Sequence, residues 1–225
     1  LKDLKLTENT ILIFMTDNGT SAGCKFPGLD TEPTLGFNAG MRGKKSSIYE
    51  GGHRVPFFLH WPAGGNTKGK DIKTLTAHID VLPTLADLCK LTKPDKSYDV
   101  DGLSLTPLLK GKSKNWNRKY HFLQYHGGAY NRYQPGPLTN SVVMTEKWRL
   151  VNGPAKQELY NIQADAAQRK NLVSQQPEII KELLQAYDSF WKRVSPALVP
   201  VAIDIGDPTE TPTVLCSLDW RPNPG

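Results

Sequence analysis

The chain has 225 residues, a formal net charge of +6, 38% hydrophobic and 22% charged residues, 19 glycines and 17 prolines. That length suffices for one large core or two modest domains, and the composition describes a loop-rich globular protein, excluding a helical bundle or a disordered chain. No apolar stretch approaches the ~20 residues that span a bilayer, and the cations are too scattered for a nucleic-acid surface, which excludes a spanning helix and leaves only mild attraction for acidic ligands.

Leu1 to Leu6 reads as the end of an amphipathic helix whose beginning is missing. The run Ile11-Leu12-Ile13-Phe14-Met15 then fits a strand buried on both faces of a mainly parallel sheet. It delivers Asp17 and Asn18 to the carboxyl edge, where open α/β sheets bind ligands. Two hard oxygen donors side by side suit Ca²⁺ or Mg²⁺, although Asn18-Gly19 on its own also reads as a turn capped by Asp17. A long turn-rich loop, residues 19–40, follows, and a loop of that length is usually functional or mobile. Met41 to Pro56 is basic and glycine-rich, with Lys45 five residues before Glu50-Gly51-Gly52; by itself it reads as a solvated loop in which the glycines allow a tight backbone passage.

A second apolar strand, Phe57 to Pro62, leads into a surface loop, residues 62–74. Asp80 is placed to cap a helix with Pro83 in its first turn, with Val81, Leu82, Leu85 and Leu88 facing a core and Cys89 buried on the same face. His78 at the helix entrance reads first as structural. The three cysteines, Cys24, Cys89 and Cys216, form no zinc set, and one at least is unpaired within the chain. Lys110 to Arg118 marks a subdomain boundary. Short strands are predicted at Tyr120–Tyr125, Ser141–Thr145, Trp148–Val151 and Glu158–Tyr160, an antiparallel sheet with turns at Asn152-Gly153 and Lys156-Gln157. A helix from Pro177 presents Ile180, Leu183, Leu184, Tyr187, Trp191 and Val194 to that sheet. The loop from His126 to Tyr133 is a hairpin connection by default, or a recognition loop for a sugar or aromatic group. The tail from Ser195, with Trp220 near its end, is expected to run extended.

Taken in order, Asp17-Asn18-Gly19, Lys45 with Glu50-Gly51-Gly52, Arg54-Val55-Pro56 before a strand ending Trp61-Pro62, His78-Ile79-Asp80, Asp101-Gly102-Leu103 and Glu158-Leu159-Tyr160-Asn161 resemble the sulfatase family of the alkaline-phosphatase-like superfamily. The resemblance covers about residues 9–195. It implies an α/β fold: part of an alkaline-phosphatase-like sheet sandwiched by helices over residues 1–115, a small α+β subdomain over 116–195, and an extended tail over 196–225. It also implies that Asp17 and Asn18 hold a divalent cation, Ca²⁺ or else Mg²⁺, and that Lys45 contacts the sulfate oxygens. Lys44 stands where the family more often has Gly, and the spacing to Glu50 selects Lys45. Arg54 and Glu50 are read as bracing the loop.

Sulfatases of this family use a formylglycine made from Cys or Ser in a Cys/Ser-x-Pro-x-Arg motif, and that motif does not occur here. The sequence therefore resembles the C-terminal portion of a sulfatase, with the formylglycine expected in a missing N-terminal half that would be its partner. The function implied is hydrolysis of a sulfated small molecule or sulfated glycan, in an exported or lysosomal-type location, with this chain alone inactive. Two alternatives stay open: a phosphate mono- or diester hydrolase of the same superfamily, and a non-catalytic scaffold or binding protein.

Overall fold

The computed structural model describes residues 1–20, 38–91, 100–125 and 138–197. Leu1–Trp191 make one compact unit and Lys192–Gly225 a second, whose described part includes the 3-10 turn Ser195–Ala197. Residues 126–133, most of residues 19–40, most of the tail, Cys24, Cys216 and Trp220 lie outside the described residues.

Strand β1, Leu12–Met15, pairs antiparallel with β2, Phe57–His60, in the register Leu12 with His60 and Met15 with Phe57. This corrects the expected strand buried on both faces of a mainly parallel sheet. An unbroken apolar run carries no period and so encodes neither strand direction nor the exposed face. Here alternate residues face out: Leu12 is 54% exposed, Phe14 59% and Phe58 65%, with the Phe14 and Phe58 rings 6.1 Å apart. Leu1 to Leu6 likewise is a turn rather than a helix, closed by the Leu6 N–H on the Leu1 carbonyl at 3.0 Å with Lys5 at φ 54°.

The short helix α1, Glu50–His53, precedes β2, and α2, Val81–Leu88, follows a 3-10 turn at His78–Asp80. Asp80 has no exposed surface and does not cap α2 through its side chain. Its carboxylate instead accepts the Ala77 and Leu103 amides at 2.7 and 2.9 Å and pairs with the Arg118 guanidinium. Thr84, also buried, donates to the Asp80 carbonyl and accepts the Leu105 amide at 2.8 Å. Gly102 completes the seam, because a Cβ there would lie 1.9 Å from the Ile79 carbonyl oxygen. The segments at 78–80 and 101–105 are thus two halves of one hydrogen-bonded joint, which leads into α3, Thr106–Leu109.

Two details of α2 depart from expectation. Leu82 is 65% exposed, and Cys89 is exposed because the helix ends at Leu88 and the helical period that placed Cys89 inside does not reach it.

Four strands, β3 His121–Gln124, β4 Ser141–Met144, β5 Trp148–Asn152 and β6 Gln157–Asn161, form an antiparallel meander in sequence order. The β4–β5 turn closes where Thr145 Oγ1 accepts the Trp148 amide at 2.8 Å, and the β5–β6 turn where the Gly153 amide donates to the Lys156 carbonyl at 3.0 Å. Helix α4, Pro177–Val194, covers one face: Leu183 and Tyr187 pack on Val143, Leu150 and Leu159, and Phe190 stacks on Phe122 with ring centres 4.4 Å apart. The strand pleat sends Val142, Met144, Val151 and Tyr160 to the other face, where they pack on Ile48. This sheet is therefore apolar on both sides, and its second face covers the segment that bears Lys45.

Candidate active site

The strand end and the basic loop meet through their backbones. The Gly19 amide donates to the Gly52 carbonyl at 3.0 Å, and the Lys45 amide donates to the Thr20 carbonyl at 2.8 Å. Such close approach requires glycine: a Cβ on Gly19 would sit 1.8 Å from the Gly51 oxygen, and one on Gly52 would sit 2.1 Å from the Ser47 oxygen. The structure thus brings the Asp17-Asn18 turn and the Lys45 loop to one edge of the β1–β2 ribbon. Lys44 and Lys45 are both exposed at the apex of their loop. The larger described cavity, about 510 Å³, opens at the opposite end of β2 beside Trp61, Lys70 and Lys110, and includes none of the predicted ligands.

Asp17 is exposed and accepts a hydrogen bond from Asn18 Nδ2. Asn18 Oδ1 is buried with no hydrogen-bond partner among the described residues. A buried carbonyl oxygen left without a donor is costly unless something electropositive faces it, so this oxygen beside a carboxylate fits a hard cation. The set is partial, since no group of three or more His, Cys, Asp or Glu among the described residues is placed to hold a metal. Ca²⁺ takes six to eight oxygens, so Asp17 and Asn18 would need further ligands from elsewhere.

Behind the loop, Glu50 is 1% exposed, and its carboxylate meets Arg149 Nε at 2.6 Å, with Arg54 at 3.5 Å and His53 at 3.9 Å. Sequence reasoning gave the bracing role to Glu50 and Arg54. Arg149, which it missed, is the closer partner and the more buried, while the Arg54 side chain is 57% exposed. The available signal was a cation, Arg149, set between Trp148 and Leu150 in a predicted strand, which marks a charge needing a partner without naming Glu50. Burial lowers the His53 pKa to about 4 against the opposing pull of Glu50. Burial together with Arg118 and the other histidines, His78 and His53, lowers His121 to about 4 as well. Both imidazoles are therefore neutral at pH 7. His78 itself is exposed in the turn before α2.

A strand-end carboxylate and amide thus lie beside a lysine loop that an antiparallel sheet splints from behind. Residues 42–191 match the family described as N-sulphoglucosamine sulphohydrolase, C-terminal, and the chain belongs to that family. It is 30% identical over 202 residues to an N-acetylgalactosamine-6-O-sulfatase of Bacteroides thetaiotaomicron, covering 84% of this chain and 38% of that protein. It is 34% identical over 130 residues to human steryl-sulfatase, covering 58% and 21%. The solved structure of a 2-O GAG sulfatase superposes with a TM-score of 0.61 at 25% identity, covering 91% of this chain and 41% of that one. The chain thus spans well under half the length of the relatives it matches.

Proposed function

We propose that this chain supplies the C-terminal portion of a sulfatase that hydrolyses sulfate esters to an alcohol and inorganic sulfate. The observation that carries the reading is the Lys45 amide on the Thr20 carbonyl, which anchors an ammonium-bearing loop two residues beyond Asn18. In this reading residues 1–115 belong to the catalytic α/β domain and residues 116–195 to the smaller subdomain behind it.

Asp17 and Asn18 would hold the cation, Ca²⁺ or Mg²⁺, through the carboxylate and the unpartnered Oδ1. When bound, that ion supplies Lewis-acid polarisation of a sulfate oxygen and a template for the attacking group. Lys45 presents a compact charge and three donors to the sulfate oxygens, where negative charge increases as the ester bond breaks. None of the three is a nucleophile or a general base, so the formylglycine and the remaining ligands come from the other half of the complete protein, and the chain alone does not turn over. A sulfated sugar is the substrate class that the N-acetylgalactosamine-6-O-sulfatase among its relatives favours, and the sulfatase reading carries with it an exported or lysosomal-type location. Among the described residues no helix is long and apolar enough to cross a membrane.

The test is substrate class. The complete protein, offered matched sulfate and phosphate monoesters of the same phenol, releases sulfate with the higher kcat/KM. Preferred phosphate release would transfer the chain to the phosphate-ester reading, and no release of either would favour the scaffold.

A further inference from the structure

Residues 42–50 form a bridge with both feet on the antiparallel sheet. At the first foot Arg42 Nη1 donates to the Tyr160 hydroxyl at 2.7 Å and lies 3.5 Å from Glu158 Oε1. The Arg42 guanidinium also sits 3.8 Å over the centre of the Tyr49 ring, whose hydroxyl donates to Glu158 Oε2 at 2.5 Å. At the second foot Glu50 is held by Arg149 at 2.6 Å, and its amide donates to Gln168 Oε1 at 2.8 Å. Between the feet Ile48, 8% exposed, enters the core formed by Val142, Val151 and Tyr160. Within this bridge only the apex, Lys44 to Ser46, is exposed.

A lysine ammonium rides on a flexible four-carbon stem, so where it can reach is set by how firmly its backbone is held. The apex is closed by the Ser47 amide on the Lys44 carbonyl at 2.9 Å, a turn that carries Ser46 at φ +71°, and is tied to Thr20 by the Lys45 amide, so where this turn stands depends on how its two ends are held. The groups that hold those two ends belong to β5 and β6, about a hundred residues further along the chain. A buried ion pair contributes little net stability over a well-packed apolar pair, so stability alone does not account for Glu50–Arg149. We infer that Arg149 and Tyr160 are positioning residues for Lys45: without touching substrate, they fix the two ends of the loop from which the ammonium reaches the anion. This rests on the reading of Lys45 as the sulfate-binding group.

The experiment is a double-mutant cycle in the complete enzyme, with kcat and KM read on a chromogenic aryl sulfate and folding checked by circular dichroism. Arg149→Lys keeps the charge and loses the forked guanidinium, and Tyr160→Phe removes one hydroxyl, so a second variant remains if the first does not fold. The expected result is that each lowers kcat about tenfold with little change in KM. In a Lys45→Ala background each then costs less than about a further twofold, because there is no ammonium left to misplace. Losses that multiply in the double variants, or Arg149→Lys and Tyr160→Phe with unchanged kcat, overturn the inference while leaving Lys45 in the site. Full activity in Lys45→Ala alone overturns the inference and the reading beneath it together.

Discussion

Arg149 Nε lies 2.6 Å from Glu50 Oε1, joining residues 99 apart in the chain. This contact fastens the loop after β1 to a sheet that forms much later in the sequence. Lys45 is therefore held from two sides, by the Asp17-Asn18 strand end through Thr20 and by β5 through Glu50. The small sheet is part of the support of the candidate site, and its own core of Leu150, Leu159, Leu183 and Tyr187 fixes where Arg149 stands.

Gly52→Ala tests how tightly the loop is apposed. The new methyl would lie 2.1 Å from the Ser47 oxygen and 2.8 Å from the Lys44 oxygen, and neither backbone atom can yield without moving the Lys45 apex. The expected loss is about 1–3 kcal/mol in urea unfolding of the chain. Gly69→Ala, with nothing within 4 Å of the added carbon, should stay within about 0.5 kcal/mol and serves as the control. Equal effects at the two sites would contradict the close approach.

The joint at Asp80 makes a second prediction. Asp80→Asn leaves the Arg118 guanidinium, 6% exposed, without its counter-charge. Removing one partner of a buried pair costs about 3–5 kcal/mol, to be read as a lower urea midpoint at unchanged slope. A cost below about 1 kcal/mol would mean that Arg118 finds water or another acceptor.

The two half-buried histidines, His53 and His121, give the chain a pH dependence. Burial holds His53 and His121 each at about pKa 4, whereas an unfolded imidazole titrates near 6.5. Below about pH 6.5 the unfolded chain takes up protons that the folded chain refuses, so stability is full above that value and falls as pH drops towards 4. Between about pH 6.5 and pH 5 the loss is about 2 kcal/mol per histidine. Urea midpoints measured across that window should decline steadily, and His121→Gln should flatten the decline. A midpoint independent of pH over the same range would contradict the burial of both rings.

Where local pattern carries structure, the sequence was readable. Strands expected at Ser141–Thr145 and Trp148–Val151 occur at Ser141–Met144 and Trp148–Asn152, because short apolar runs and the turn residues that link them are neighbours in the chain. The helix at Pro177 follows from its apolar spacing, and the glycines at 51 and 52 proved to sit at a tight backbone passage. Direction and distant pairing were not readable. The apolar run at Ile11–Met15 has no period, and so its antiparallel partner and its exposed Phe14 were hidden. Arg149, Arg118 and Tyr160 find Glu50, Asp80 and Arg42 across 99, 38 and 118 residues, and no spacing rule announces an ion pair or hydrogen bond of that range. Cys89 misled because a helical period was extended one residue beyond the end of α2.

One substitution bears most directly on the claim that Lys45 and the Asp17-Asn18 strand end serve a single anion. In the complete enzyme, Lys45→Ala should lower kcat for release of inorganic sulfate from an aryl sulfate by about 10²–10³-fold, with Lys44→Ala far milder. An unchanged kcat in Lys45→Ala would contradict the account and remove this lysine from the site.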